Sequence, residues 1–483
     1  MNCTILDCYT DEAAGLGVPP YIGTYPRYIA GEELLKGNKV NYLTIDDLRF
    51  LKIYNNVKKE TPKTNIKIYN LTRENCLEIL NKTDVLIIIC GVHVPGKYLS
   101  ALPGTMFEVQ KLIQDLKCKK ILTGPAATEF GTRLEGGKKA EKLNLDVFDE
   151  IVEVEKNFAK IAKYSIAGAK IVNQAPFGVI AEIETARGCQ KSIACSFCTE
   201  PLKNKMKFRK INDIVNEIKA LNKEGIVHFR LGKQSDFFAW KTDEIEEMLS
   251  KINKIKGIKT LHIDNIDPAQ VTDEKVKLIV KYCSPSNIAA LGIETFDSTL
   301  TKENNLNSKP SVSMKAIKII NKYGNKIGDN GMPYFLPGLN ILFGLKGETK
   351  KTHLENMSHM QELLDQNLLV RRINIRQVAI FPGTQLYDEC GDKYVKKNKK
   401  YYWKWRNEIR QKIDNPMLKK LVPIGTILKD VRMEIYDGNT TFGRQIGTYP
   451  LIIGIKKRLI LGKIYNIEVV GHMLRSIVGK VVE

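Results

Sequence analysis

Long apolar runs are the first thing this chain lacks. Its longest, DVLIIIC at 84–90 and LIIGI at 451–455, are strand-sized and fall far short of the about 18 residues a membrane helix needs. No charged-then-apolar leader opens the sequence, so a cytoplasmic location without membrane contact is expected. Internal repeats and low-complexity linkers are absent as well. Acidic residues are scarce: 54 Asp and Glu face 75 Lys and Arg, and the net charge of +21 favours anionic partners such as nucleic acid. A genome that inflates Lys and Ile gives the same surplus as dispersed, solvated charge, and composition leaves both readings open. Ten cysteines at irregular spacing make no disulfide framework and read as reduced thiols, some with a function.

What is present is enough for several folded domains. At 483 residues the chain has room for two to four at about 100–200 residues each, and 43% hydrophobic with 27% charged residues is too apolar for disorder. Residues 1–155 alternate short apolar runs (CTILDCY, VNYLTI, DVLIIICG, KKILTG, DVFDEIVE) with helical patterns, as a doubly wound α/β domain does. A second strand–helix series runs over 175–390, with strands expected near 178–187, 226–232, 259–264, 287–294, 339–345 and 372–380. Amphipathic helices such as INDIVNEIKALNKEG and MKAIKIINKYG separate them. Six such units predict a partial (β/α)6 TIM-like barrel with its chemistry at the carboxyl ends of the strands. A basic helical connector follows at 391–419, and 420–483 breaks into short β runs separated by Gly, as a small β-barrel does.

The most specific signal lies just after the first expected barrel strand. In ETARGCQKSIACSFCTEP, Cys189, Cys195 and Cys198 fall within ten residues and Gly188 permits the turn that wraps them. Three thiolates without a fourth ligand hold three irons of a [4Fe-4S] cluster and leave the fourth open to a small molecule. A zinc site wants four closed ligands, and the nearest histidine, His228, is some 30 residues away.

These residues resemble the cluster motif of the radical SAM superfamily, over about residues 178–385. Phe197 before the last cysteine and the lead-in from Glu184 to Cys189 match that family, whereas its usual first interval is three residues rather than five. The resemblance implies S-adenosylmethionine on the open iron, cleaved by an electron to a 5′-deoxyadenosyl radical, and a donor such as ferredoxin or flavodoxin. It places cofactor contacts at Gly232, Gln234 and Asp236 after the second strand and at Glu294 ending the fourth. Gly344, with Gly347, on the fifth strand and Gln377, with Arg376, on the sixth complete the set. Bland readings stand beside these: a Glu can cap a helix or pair with Lys, and a lone Gly usually marks a turn. No residue marks itself as a catalytic acid or base.

The flanking regions resemble domains that accompany such barrels. Residues 1–155 are similar to a cobalamin-binding-type domain, with GVPPYIGTYPRYIAGEELLKGNKVNYLTID as its first strand-to-helix segment and LTGPAATEFG as a later glycine turn. Cobalamin is therefore a third cofactor to test, although the family's Asp-x-His-x-x-Gly motif is missing: Asp7 is followed at plus two by Tyr9, and His93 is the domain's one histidine. Methylthiotransferases offer a second-cluster pattern that Cys8 and Cys90 fit and the middle cysteine does not. The tail resembles a TRAM domain, which implies RNA, tRNA above all, as partner. Arg432, Arg444, Lys456, Lys457, Arg458, Lys463, Arg475 and Lys480, with Phe442, Tyr449 and Tyr465, would meet phosphates and bases, at least half of the aromatics filling the core instead. The expected activity is methyl or methylthio transfer to an RNA. The alternatives are a cobalamin-dependent methylase of a protein or small molecule, and a non-catalytic RNA-binding iron–sulfur protein.

Overall fold

The computed structural model describes residues 1–12, 15–16, 18–54, 73–91, 101–128 and 145–482. Its first layer is a five-stranded parallel sheet whose order, in chain terms, is second, first, third, fourth, fifth: Lys39–Thr44, Asn2–Asp7, Val85–Ile89, Lys119–Thr123, Glu150–Ile151. Continuous apolar runs such as VLIII form its centre because helices cover both faces. Leu6, Leu43, Leu86, Ile88 and Leu122 pack on one side with Leu48 and Val109. On the other side Ile5, Tyr42 and Ile89 join the core of the next domain.

That next domain is the expected open barrel. Ile180–Glu184, His228–Gly232 and Thr260–Ile263 pair in parallel, and Asn265–Ile266, Asn287–Glu294, Phe335–Phe343 and Arg372–Gln377 continue beyond the single residue Asp264. Helix Ile211–Lys223 shows why the outer ring forms: Ile214, Val215, Ile218 and Leu221 recur at helical spacing and are buried against the strands. One strand is new. Tyr21–Ile22 adds in parallel to Ile180–Ala181 at the barrel edge, so the PPYIGTYPRYI segment, read as part of the first domain, serves the second. Helix Thr24–Leu35 follows it, and its Arg27 is buried against Glu217 and the Glu182 carbonyl.

After the barrel, helix Lys393–Ile409 passes through a π turn at Arg410–Asp414 into Asn415–Leu421. The tail is a closed five-stranded barrel, in the order Ile427–Asp437, Thr440–Gln445, Ile453–Ile455, Ile477–Val481, Ile464–His472. Val431, Met433, Ile453, Ile467 and Ile477 fill it. This small barrel sits on the amino-terminal end of the large one. Its turn at 446–450 enters there: Thr448 N–H donates to His262 Nδ1 (3.0 Å), Tyr449 OH to Asp264 (3.1 Å), and Tyr21 OH to the Gly447 carbonyl (2.9 Å). Arg371 donates to the Tyr449 carbonyl at 2.7 Å, and the Arg372 guanidinium lies 3.9 Å from the Tyr449 ring centre. Tyr449, grouped by sequence with aromatics for base contact, is committed to this seam. No helix among the described residues is long and apolar enough to cross a membrane.

Candidate functional site

The cysteine loop leaves the first barrel strand at its carboxyl end and is tied down from several sides. Glu184 holds Arg187 through two hydrogen bonds, at 2.8 and 2.9 Å. Gly188 sits at φ +89 with the Lys205 backbone where a Cβ would be, so only glycine turns the chain there. Its carbonyl accepts from Ser235 Oγ (2.7 Å) and its N–H donates to Glu200 (3.0 Å). Ser196 bonds Asn304 by side chain and backbone, and Leu386 N–H donates to the Ser196 carbonyl. A loop held this way presents its thiols at defined positions.

Cys189, Cys195 and Cys198 are unpaired and half-buried, and Cys189 is close enough to the other two for its charge to bear on both. Burial, with the neighbouring Cys195, pushes the Cys198 thiol up to about 12. Burial also raises Cys195, against the pull of Lys191, whose ammonium lies 3.0 Å from its sulfur. Among the described residues no three His, Cys, Asp or Glu close on a single-ion position. Three cysteines on one loop, with the nearest histidine, His228, some 30 residues on, are a donor set for a cluster rather than for four-ligand zinc. The donor set therefore fits a four-iron cluster with one open position.

The other sequence-marked residues surround this loop in different ways. Phe197 packs among Leu342, Val378, Leu386 and Val395 and anchors the loop. Gly232 ends the second strand where a Cβ would strike Glu182, and its carbonyl accepts from Thr185 N–H (3.4 Å). Gln234 is fully buried, accepting from Thr185 Oγ1 (2.9 Å) and donating to the Leu231 carbonyl (3.1 Å). Asp236, pushed up to about 7 by burial, accepts from Phe238 N–H, Asp267 N–H and Gln190 Nε2. These two side chains join neighbouring strand ends to the cysteine loop.

Glu294 differs in having its carboxyl buried beside Arg376 and near the cysteine loop. It closes the fourth strand at φ +63, and burial pushes its carboxyl up to about 8 against the attraction of Arg376. A non-glycine residue at positive φ with a buried acidic side chain is a common mark of a functional position. Gly344, at φ +94, is crowded by Val378 and Val395 where a Cβ would stand, so packing requires it, whereas Gly347 is required by its φ of +86. Gln377 shares the alternation of Ile373 and Ile375 toward the outer helices, while Arg376 shares that of Arg372 and Asn374 toward the interior.

Sequence reading missed the charge inside the barrel. Arg230 pairs with both Glu182 and Asp264, all three buried, and Asn340 meets Asn374 at 3.1 Å. The signal was available as charged residues at alternate positions of barrel strands: AEIE, HFRLG, LHID, RINIR. At the carboxyl edge of the first sheet, Cys8 and Cys90 end adjacent strands with both thiols buried, and burial and Cys90 keep Cys8 protonated. The next strand end carries Asp46, bound to Arg49, in place of a third thiol. His93 and the last three residues of LTGPAATEFG, Glu129, Phe130 and Gly131, lie outside the described residues.

The sequence profile described as the radical SAM superfamily matches residues 183–359. An uncharacterized protein of Methanocaldococcus jannaschii is 41% identical, with 99% of this chain and 93% of that protein covered. A ribosomal protein uS12 methylthiotransferase of Clostridium botulinum is 23% identical over 84% of this chain and 92% of its own. Among solved structures, the radical S-adenosylmethionine methyltransferase of Kitasatospora setae, determined with cobalamin and a [4Fe-4S] cluster, shares the fold at TM-score 0.50. It is 12% identical, with 80% of this chain and 73% of that chain covered.

Proposed function

For a chain that belongs to the radical SAM superfamily, we propose an enzyme that transfers a methyl or methylthio group to a carbon of an RNA, most specifically a tRNA. The observation that carries the chemistry is the gathering of Cys189, Cys195 and Cys198 on one loop at the carboxyl end of the barrel, near enough to Glu294 for its charge to act on Cys195, with Arg376 acting on Glu294 in turn. A cluster bound there supplies one electron for cleaving S-adenosylmethionine, which makes unactivated C–H bonds reachable where no base could act. The protein's own share is to hold the loop through Ser235, Asn304 and Asp236, to offer the Glu294 carboxyl to the ligand, and to keep bulk water from the interior. An electron donor of the ferredoxin or flavodoxin type completes the system.

RNA as substrate is supported by the tail surface. Lys456, Lys457, Arg458 and Lys463 are exposed on one side of the small barrel, with the Arg458 guanidinium 4.7 Å from the Tyr436 ring centre and Lys463 5.4 Å from Tyr465. Cations beside partly open rings suit phosphates and unpaired bases. Cobalamin is a candidate third cofactor because the Kitasatospora methyltransferase with this fold carries it. The switch point between Asn2–Asp7 and Val85–Ile89 is where a sheet of this order receives a ligand.

Mass spectrometry of nucleosides in tRNA from cells with and without the protein tests the reading. One modified nucleoside is expected to vanish with the gene. The triple charge reversal Lys456→Glu, Lys457→Glu, Arg458→Glu is expected to reduce that nucleoside, with tRNA affinity down at least tenfold at low salt. An unchanged nucleoside profile favours a protein substrate, the reading that the uS12 methylthiotransferase relative supports by its name.

A further inference from the structure

The interval between Cys189 and Cys195 contains Gln190, Lys191, Ser192, Ile193 and Ala194. Both polar residues that open it are fastened. Gln190 Nε2 donates to Asp236 (3.1 Å), and the Lys191 ammonium donates to the Asn305 backbone carbonyl and to Cys195 Sγ (3.0 Å). Asn305, at φ +55 just past helix Ser298–Glu303, also donates its side-chain N–H to the Ala194 carbonyl (3.2 Å). The same asparagine thus holds both the lysine head and the backbone beside the cysteine. Lys191 forms no ion pair with a carboxylate among the described residues, so its charge is directed at the sulfur.

We propose that Lys191 sets the reduction potential of the cluster, and that the long Cys189–Cys195 interval is what brings it there. Reduction adds one negative charge to the cluster and its thiolates. A fixed cation hydrogen-bonded to one of those sulfurs stabilises the reduced form more than the oxidised form and moves the potential upward. The electron comes from the external reductant; no bond is made or broken at Lys191. It is a positioning residue, acting on the cluster through Cys195. The proposal rests on the cluster assignment and is independent of the substrate, because a midpoint is measured without RNA or methyl transfer.

The test uses the full-length protein, reconstituted anaerobically with iron and sulfide, and an EPR-monitored titration with dithionite. Lys191→Met keeps the length of the side chain and drops the charge. It is expected to hold four irons and to show at least a tenfold lower ratio of reduced to oxidised cluster at the wild-type midpoint, 59 mV for a one-electron couple. Lys191→Arg is expected to return most of that shift. Equal midpoints in wild type and the Met variant overturn the proposal. If the Met variant assembles fewer than four irons, Lys191→Gln, a donor without charge, replaces it under the same criterion. Failure of both to assemble places Lys191 in the folding of the loop and likewise overturns the redox role.

Discussion

At the scale of single residues, glycines around the site are fixed by what lies against them. Gly344 combines φ +94 with Val395 Cγ2 at 2.5 Å and Val378 Cγ1 at 3.1 Å from the place of a Cβ. Gly344→Ala is expected to cost about 1–3 kcal/mol through overpacking and strain. A thermal-unfolding midpoint within one degree of wild type would contradict that packing role. The motif glycine was legible in the sequence, but its reason was not: Val395 lies about 50 residues downstream, on a helix whose docking no local pattern announces. The cysteine motif stood out because all three residues lie within ten positions of one another. Gln234 and Asp236 were legible as positions only, since their partners, Thr185, Gln190 and Asp267, come from the loops that follow two other strands.

At the scale of elements, the strand and helix order was readable because period-2 and period-3.6 patterns were strong, whereas Tyr21–Ile22 was not, being two residues long and following Pro19–Pro20. Its helix, Thr24–Leu35, is fastened by charge as well as by apolar contact. Glu217, on Ile211–Lys223, is buried between Arg27 and Arg209 (2.6 Å to the latter). Burial alone would push its carboxyl up, but the two guanidinium groups bring it below the ordinary value. Glu217→Ala strands two buried cations and is expected to destabilise the protein by about 3–5 kcal/mol. Denaturant unfolding checks this, and a loss under about 1 kcal/mol would show the pairs to be dispensable. The connector helix divides its aromatics: Tyr402 and Trp405 are buried, while Trp403 is 67% exposed. Helical periodicity separates 402 and 405 from 403, and that much was available in advance.

At the scale of the whole molecule, the seam between the two barrels depends on neutral histidine. His262, fully buried between Thr448 and the Pro285 carbonyl, is held down to about 4 by burial. Above pH 6.5 the folded and unfolded chains both carry it neutral. As pH falls from 6.5 toward 4 the unfolded chain takes up a proton that the folded chain refuses, so stability falls by about 3 kcal/mol at most. Thermal scans of the wild type and His262→Asn between pH 7 and 4.5 should show a shallower loss in the variant. Equal slopes would assign the acid sensitivity to other groups. The turn at 446–450 has a consequence for how such a protein can diversify. Its Tyr449 hydroxyl reaches Asp264, which also holds Arg230 inside the catalytic barrel. A tail exchanged for another with different recognition must therefore bring its own stopper for the same opening, so graftable tails are selected first by fit to the enzyme and only then by what they recognise.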